Sequence, residues 1–140
     1  MNFWDSSAVI EAHDGTSPKH GRFVNLLQQK TLQAASRLIL PEVLSALARR
    51  NRQNRAQADL VLTSARGALA HFSLYTVSDD LVDAAVEIGL REHLKGADAV
   101  HLATAEFVAR ALGRKGFALV TLDKELGAAA RRRGLRVIGS

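Results

Sequence analysis

The chain has 140 residues, 47% of them hydrophobic and 24% charged, with only two prolines; these values fit one folded globular domain and exclude disordered, collagenous and low-complexity classes. It contains no cysteine, so disulfides, thiolate zinc sites, iron–sulfur clusters and cysteine nucleophiles are excluded, and any metal must sit on oxygen or imidazole. Nineteen lysines and arginines against fourteen acids leave a net charge of +5, which points to a polyanionic partner.

In chain order, short apolar runs alternate with longer segments whose apolar residues recur at helical spacing. Asn2 to Asp5 reads as a buried first strand, followed by helical material through Ile10. A loop marked by Asp14-Gly15 and Ser17-Pro18 leads to a helix from His20 to Gln29. Leu32 to Ser36 is a second strand candidate. Leu40-Pro41-Glu42 opens a helix, with Leu40 pushed by the proline into an extended conformation, Pro41 at the first helical position and Glu42 in the first turn, running to about Arg50.

A polar break at Asn51 to Asn54 precedes a second helix carrying Ala56, Leu60, Val61 and Ala65, so the two helices form a hairpin. Phe72 to Val77 has strand composition, and Ser78-Asp79 caps a helix whose face carries Leu81, Ala85, Ile88 and Gly89. Gly96 interrupts the pattern, and a helix rich in small residues starts near Asp98, with Gly113 and Gly116 ending it. Phe117 to Thr121 is a continuous apolar strand closing at Asp123. Lys124 to Arg133 is helical, and Arg136 to Ile138 is a short last strand.

No internal repeat or linker interrupts this alternation, which predicts one α/β domain over 1–140: a central parallel sheet of four or five strands, flanked by helices on both faces. No apolar run approaches the ~20 residues that span a bilayer, and no basic segment followed by an apolar stretch opens the chain, so the expectation is a cytoplasmic protein with no membrane partner.

In such a sheet ligands bind beyond the carboxyl ends of the strands. Four acids fall there or at adjoining helix starts: Asp5, Glu42, Asp98 and Asp123. Each alone can be a cap or a first-turn acid that answers a helix dipole. Together they would repel one another and raise each other's pKa unless a cation neutralised them, and an all-oxygen cluster suits Mg²⁺ or Mn²⁺.

The basic residues also cluster. Arg49, Arg50, Arg52 and Arg55 lie in one stretch, while Arg110, Arg114, Lys115, Arg131, Arg132, Arg133 and Arg136 crowd the last third. Solvated helix faces and phosphate-facing surfaces both fit this pattern. The few aromatics, Phe3, Trp4, Phe23, Phe72, Tyr75, Phe107 and Phe117, fall mostly on apolar faces and read as core. No base-stacking platform is visible.

Four segments together carry a family resemblance: Asp5-Ser6-Ser7 after an apolar strand, Pro41-Glu42-Val43-Leu44-Ser45-Ala46-Leu47, Gly96-Ala97-Asp98-Ala99-Val100-His101-Leu102-Ala103-Thr104-Ala105, and Val120-Thr121-Leu122-Asp123-Lys124-Glu125-Leu126. In order and spacing, over essentially the whole chain, they resemble a PIN-domain ribonuclease of the VapC toxin type. The resemblance implies that Asp5, Glu42, Asp98 and Asp123 are a catalytic quartet binding Mg²⁺, with Mn²⁺ as a substitute, and that Ser7 and Thr121 are hydroxyls beside it. The implied activity is metal-dependent endonucleolytic cleavage of RNA by the toxin of a toxin–antitoxin pair. The implied partners are an antitoxin segment in a groove of the hairpin from Pro41 to Ala70 and a second copy in a homodimer. His101, three residues after Asp98, lies on the same helical face, where it holds that carboxylate, touches the metal or packs beside the site. Arg49, Arg50, Arg131 and Arg132 are the candidate RNA contacts.

Other readings stand beside this one. One is a PIN-fold RNA-processing nuclease with no toxin role; another is a non-catalytic basic nucleic-acid-binding module whose acids are only caps. A phosphatase with Asp5 as nucleophile lacks the second acid two residues on, where Ser7 stands. A P-loop nucleotidase lacks the Gly-x-x-x-x-Gly-Lys sequence.

Overall fold

A computed structural model describes residues 1–140. Five strands, β1 (Asn2–Trp4), β2 (Gln33–Ser36), β3 (Ser73–Tyr75), β4 (Ala118–Thr121) and β5 (Val137–Gly139), form one parallel sheet in the order β3-β2-β1-β4-β5. Helices α1 (Ser6–Asp14), α2 (His20–Gln28), α3 (Ile39–Arg50), α4 (Arg55–Leu69), α5 (Asp79–Glu92), α6 (Gly96–Leu112) and α7 (Lys124–Arg132) connect them. Every ladder is parallel, which requires crossovers through helices rather than hairpins.

The strands are short and buried because both faces of the sheet are covered. Alternation sends Phe3, Ala34 and Leu119 to a core shared with α5, α6 and α7, whereas Trp4, Ala35, Ala118 and Val120 join a core under α1 to α4. The central strand therefore contributes Phe3 to one layer and Trp4 to the other, both fully buried. Trp4 also satisfies its indole by donating Nε1–H to Gln33 Oε1 at 2.6 Å, tying β1 to β2 through a buried polar contact. Small residues on α6 let its axis sit close to the sheet: Ala99, Ala103, Ala105 and Ala109 are all buried.

Element boundaries depart from the sequence reading where tertiary hydrogen bonding decides them. Leu32 is half exposed and outside β2, though its carbonyl accepts from Asn2 N–H at 2.9 Å. α3 begins at Ile39, so Pro41 occupies the third helical position and Leu40 is helical rather than extended. A proline there still forfeits no intrahelical bond, because the first-turn amides have no intrahelical acceptor. The small-residue helix starts at Gly96, two residues before Asp98. Phe107 corrects the aromatic assignment: it is 52% exposed and not core. Gly139, at the end of β5, has φ +113, and a Cβ there would lie 2.3 Å from the Thr121 carbonyl oxygen. Only glycine lets β5 close against the end of β4 at that point.

Candidate active site

The chain runs outward from β1 to β2 and β3, then returns to place β4 on the other side of β1. The crossovers diverge between β1 and β4, which is the switch point where open α/β sheets leave a crevice at their carboxyl ends. Asp5 follows β1 directly, and its N–H donates to the Val120 carbonyl of β4 at 3.0 Å. Thr121 ends β4 and Asp123 lies two residues on.

Asp5 stands at the cap of α1, but its carboxylate makes no capping bond to the helix. Instead Ser7 Oγ donates to Asp5 Oδ2 at 2.5 Å and Thr121 Oγ1 donates to the same oxygen at 2.7 Å. Thr121 Oγ1 also accepts from Asp123 N–H, and Ser7 Oγ accepts from Leu122 N–H, both at 3.0 Å. The two hydroxyls thus hold one face of Asp5 and tie β1 to the turn after β4. Oδ1 is touched only by Ser6 Oγ at 3.4 Å, so that oxygen is lightly held. This orientation separates Asp5 from an ordinary cap.

Asp123 does cap α7, with Oδ1 accepting from Leu126 N–H at 2.9 Å, while its other oxygen receives no hydrogen bond. Asp98 lies in the first turn of α6 and its carboxylate has no hydrogen-bond partner. Glu42, in the first turn of α3, accepts a short hydrogen bond from Nε2–H of His101 on α6.

The four acids share one field. The Asp98 carboxyl is raised to about 6, first by partial burial and then by the charges of Asp5 and Asp123, with Glu42 adding to and His101 opposing the shift. Burial works against protonation of His101. The hydrogen bond to Glu42, with the charges of Asp5, Glu42 and Asp98, outweighs that effect and leaves its pKa above the usual histidine value. No three Asp, Glu or His side chains are drawn together at coordinating distance. The donor set nevertheless fits a hard divalent ion. It is all oxygen, includes carboxylate oxygens without hydrogen-bond partners, and has one member whose pKa burial, and after it the charges of the other acids, hold high.

The remaining sequence candidates are distributed differently. Arg49 is exposed at the end of α3, and Arg50 Nε lies 3.6 Å from Asp14 at the end of α1. Arg132 is held by Glu92 through Nε and Nη2, at 2.9 and 2.6 Å, and Arg131 Nη2 donates to the Ser140 carbonyl. Those two arginines thus have partners within the fold, which their run in the sequence does not reveal. Sequence reasoning also misses the pairing of His101 with Glu42 rather than Asp98. Helical spacing indicates the face His101 occupies but not which helix packs against it.

Across its whole length this is the architecture of an α/β domain that presents acids at a sheet switch point. A PIN-domain family model matches residues 3–132, and the chain belongs to the PIN-domain family. No curated protein matches significantly. Among solved structures, the fold is similar to that of PAE2754 from Pyrobaculum aerophilum, with TM-score 0.69 and 20% identity over 97% of this chain and 82% of that one. It is also similar to VapC20 of Mycobacterium tuberculosis, described as a sarcin–ricin loop cleaving toxin, with TM-score 0.67 and 22% identity over 92% and 95% of the two chains. A third is VapBC2 from Rickettsia felis, determined with a DNA fragment from its promoter, with TM-score 0.59 and 15% identity over 99% and 98%. No helix of the chain is long and apolar enough to cross a membrane.

Proposed function

We propose that this chain is a divalent-metal-dependent endoribonuclease, the toxin of a toxin–antitoxin pair, in which Asp5, Glu42, Asp98 and Asp123 hold Mg²⁺ or Mn²⁺. The observation that carries the reading is the common field of these four acids at the β1/β4 switch point, with Asp5 turned away from helix capping by Ser7 and Thr121. A bound divalent ion supplies the charge that activates a water and neutralises the developing charge on the phosphate.

The residues of this chain do the rest. Ser7 and Thr121 hold Asp5 by Oδ2 and leave Oδ1 with only the long contact to Ser6. Asp123 keeps one oxygen on the α7 amide and offers the other. Asp98 has no competing hydrogen bond and can turn toward the cation. Basic side chains offset the repulsion between the acids and an incoming polyanion. Arg49, Arg50, Arg52 and Arg55 gather around the α3–α4 turn, and Arg50 lies eight residues from Glu42, on the order of 12 Å along the helix. That reach suits phosphates a few nucleotides from the scissile one.

The toxin role and its partners rest on the resemblance to VapC-type chains, and two surfaces support them. The α3–α4 hairpin exposes Leu60 and offers a seat for an antitoxin segment. Val82, Val86 and Leu90 form an exposed apolar stripe on α5 of the kind a homodimer covers.

The test is cleavage of labelled structured RNA by purified protein with EDTA, Mg²⁺ or Mn²⁺, beside Asp5→Asn and Asp98→Asn. Expression in cells with and without the product of an adjoining small reading frame accompanies it. Metal-dependent cutting lost in both variants, with toxicity relieved by the second protein, is the expected result. Cutting without toxicity would favour a processing nuclease. Salt-sensitive RNA binding without cutting, equal in all three proteins on the cellular RNA pool, would overturn the enzyme reading.

A further inference from the structure

His101 is fully buried, and it joins two of the elements that carry acids. Its Nε2–H donates to Glu42 Oε1, spanning from α6 to α3. This is the one hydrogen bond Glu42's carboxylate receives. The other ring nitrogen, Nδ1, is buried with no partner.

That asymmetry is informative. Most buried polar side-chain atoms are hydrogen-bonded, since an unsatisfied one costs on the order of 1–3 kcal/mol. Here one nitrogen is left unpaired, and the hydrogen bond to Glu42 is what the residue provides. A carboxylate oxygen accepts, so the hydrogen bond to Glu42 is made with a proton on Nε2. The hydrogen bond also occupies Oε1 and leaves Oε2 as the only unengaged oxygen of Glu42.

We infer that His101 is a positioning residue which holds Glu42 by Oε1 and so orients its carboxylate at the acid site. The inference rests on the metal-binding reading above and goes beyond it by assigning His101 to Glu42, not to the metal or to Asp98.

The test is Mn²⁺ binding, by calorimetry or by loss of the free-ion paramagnetic resonance signal, for wild type, His101→Gln, His101→Asn and His101→Leu. Thermal melts with EDTA report folding of each. Glutamine can bring an amide donor to the site of Nε2, whereas asparagine is shorter by one bond of ~1.5 Å and cannot reach. The expectation is that Leu and Asn weaken Mn²⁺ by about 10- to 100-fold, while Gln stays within about threefold of wild type. If leucine fails to fold, the comparison of Gln with Asn decides, because both keep a polar amide in the pocket.

Equal affinity in Asn and wild type would overturn the positioning role while leaving the metal site intact. Tight binding in wild type with equal losses in Gln and Asn would also overturn it, since a merely structural or direct-ligand role gives that pattern. Absence of Mn²⁺ binding by wild type would overturn the metal reading itself, and the positioning role with it.

Discussion

Asp98→Asn in the metal-free protein tests the shared field directly. The displacement of the Asp98 carboxyl from 3.8 to about 6 corresponds to a ceiling of ~3 kcal/mol against folding at high pH. The group is only partly buried, and solvent screening reduces this to about 1–1.5 kcal/mol. Working the other way, an acid in the first turn of α6 gains ~0.3–1 kcal/mol from the helix dipole, which asparagine forfeits. Relief of burial and repulsion outweighs that loss by up to about 1 kcal/mol, so the variant melts up to about 4 °C higher than wild type at pH 8 in EDTA.

At pH 4 Asp98 is largely protonated in the folded protein, and the advantage disappears. Saturating Mn²⁺ reverses the order, because binding to the folded state alone stabilises wild type by mass action. Differential scanning calorimetry at the two pH values, with and without Mn²⁺, reads all three comparisons. A variant less stable than wild type at both pH values and unaffected by Mn²⁺ would show that Asp98 serves only as a first-turn acid, and would refute a shared acidic site.

The same groups set the pH dependence of the metal-free protein. The folded state binds more protons than the unfolded chain through Asp98 between about pH 4 and 6, so stability falls across that window as pH rises. His101 has a raised pKa, so its contribution is complete below the unfolded histidine value and is lost as pH rises through the folded one. The melting temperature in EDTA should therefore decline from pH 5 to pH 8, and a rise over that range would contradict the assignment. Thr121→Val removes the fully buried hydroxyl that links Asp5 to Asp123 and should cost about 1–3 kcal/mol in urea unfolding, together with weaker Mn²⁺ binding; an unchanged unfolding midpoint would mean that water replaces the hydroxyl. Replacing Arg49, Arg52 and Arg55 by alanine should weaken RNA binding and flatten its salt dependence by about 0.7 in log–log slope for each phosphate that is no longer neutralised, measured by fluorescence anisotropy. An unaltered slope would mark the cluster as a solvated face.

Much of this architecture is legible in the sequence because its signals are local. Continuous apolar runs such as Phe117 to Thr121 and a capping serine at Ser78 place strands and helix starts without knowledge of the fold. Asp5 and Asp123 follow β1 and β4, and Glu42 opens the helix after β2, so one topological rule gathers them: parallel strands deliver their carboxyl ends to the same edge. Asp98 follows helix α5 instead of a strand, and helix packing brings it to them. Boundaries and partners are not legible. By sequence Leu40 reads as extended and Phe107 as buried, but helix α3 starts two residues before Pro41, and Phe107 lies largely in solvent.

The arginine run Arg131-Arg132-Arg133 shows the same limit. Its charge is evident from the residues. Glu92 and Glu106, which pair with Arg132 and Arg133, come from α5 and α6, distant in sequence. The acid site divides in the same way. Residue types and spacing place Asp5, Glu42 and Asp123 at one edge, since local chemistry and strand polarity suffice for those three. Only tertiary packing decided that Ser7 and Thr121 grip one oxygen of Asp5 and that His101 turns to Glu42. Hydrogen-bond partners between helices depend on angles and distances of packing that no spacing along one chain segment encodes.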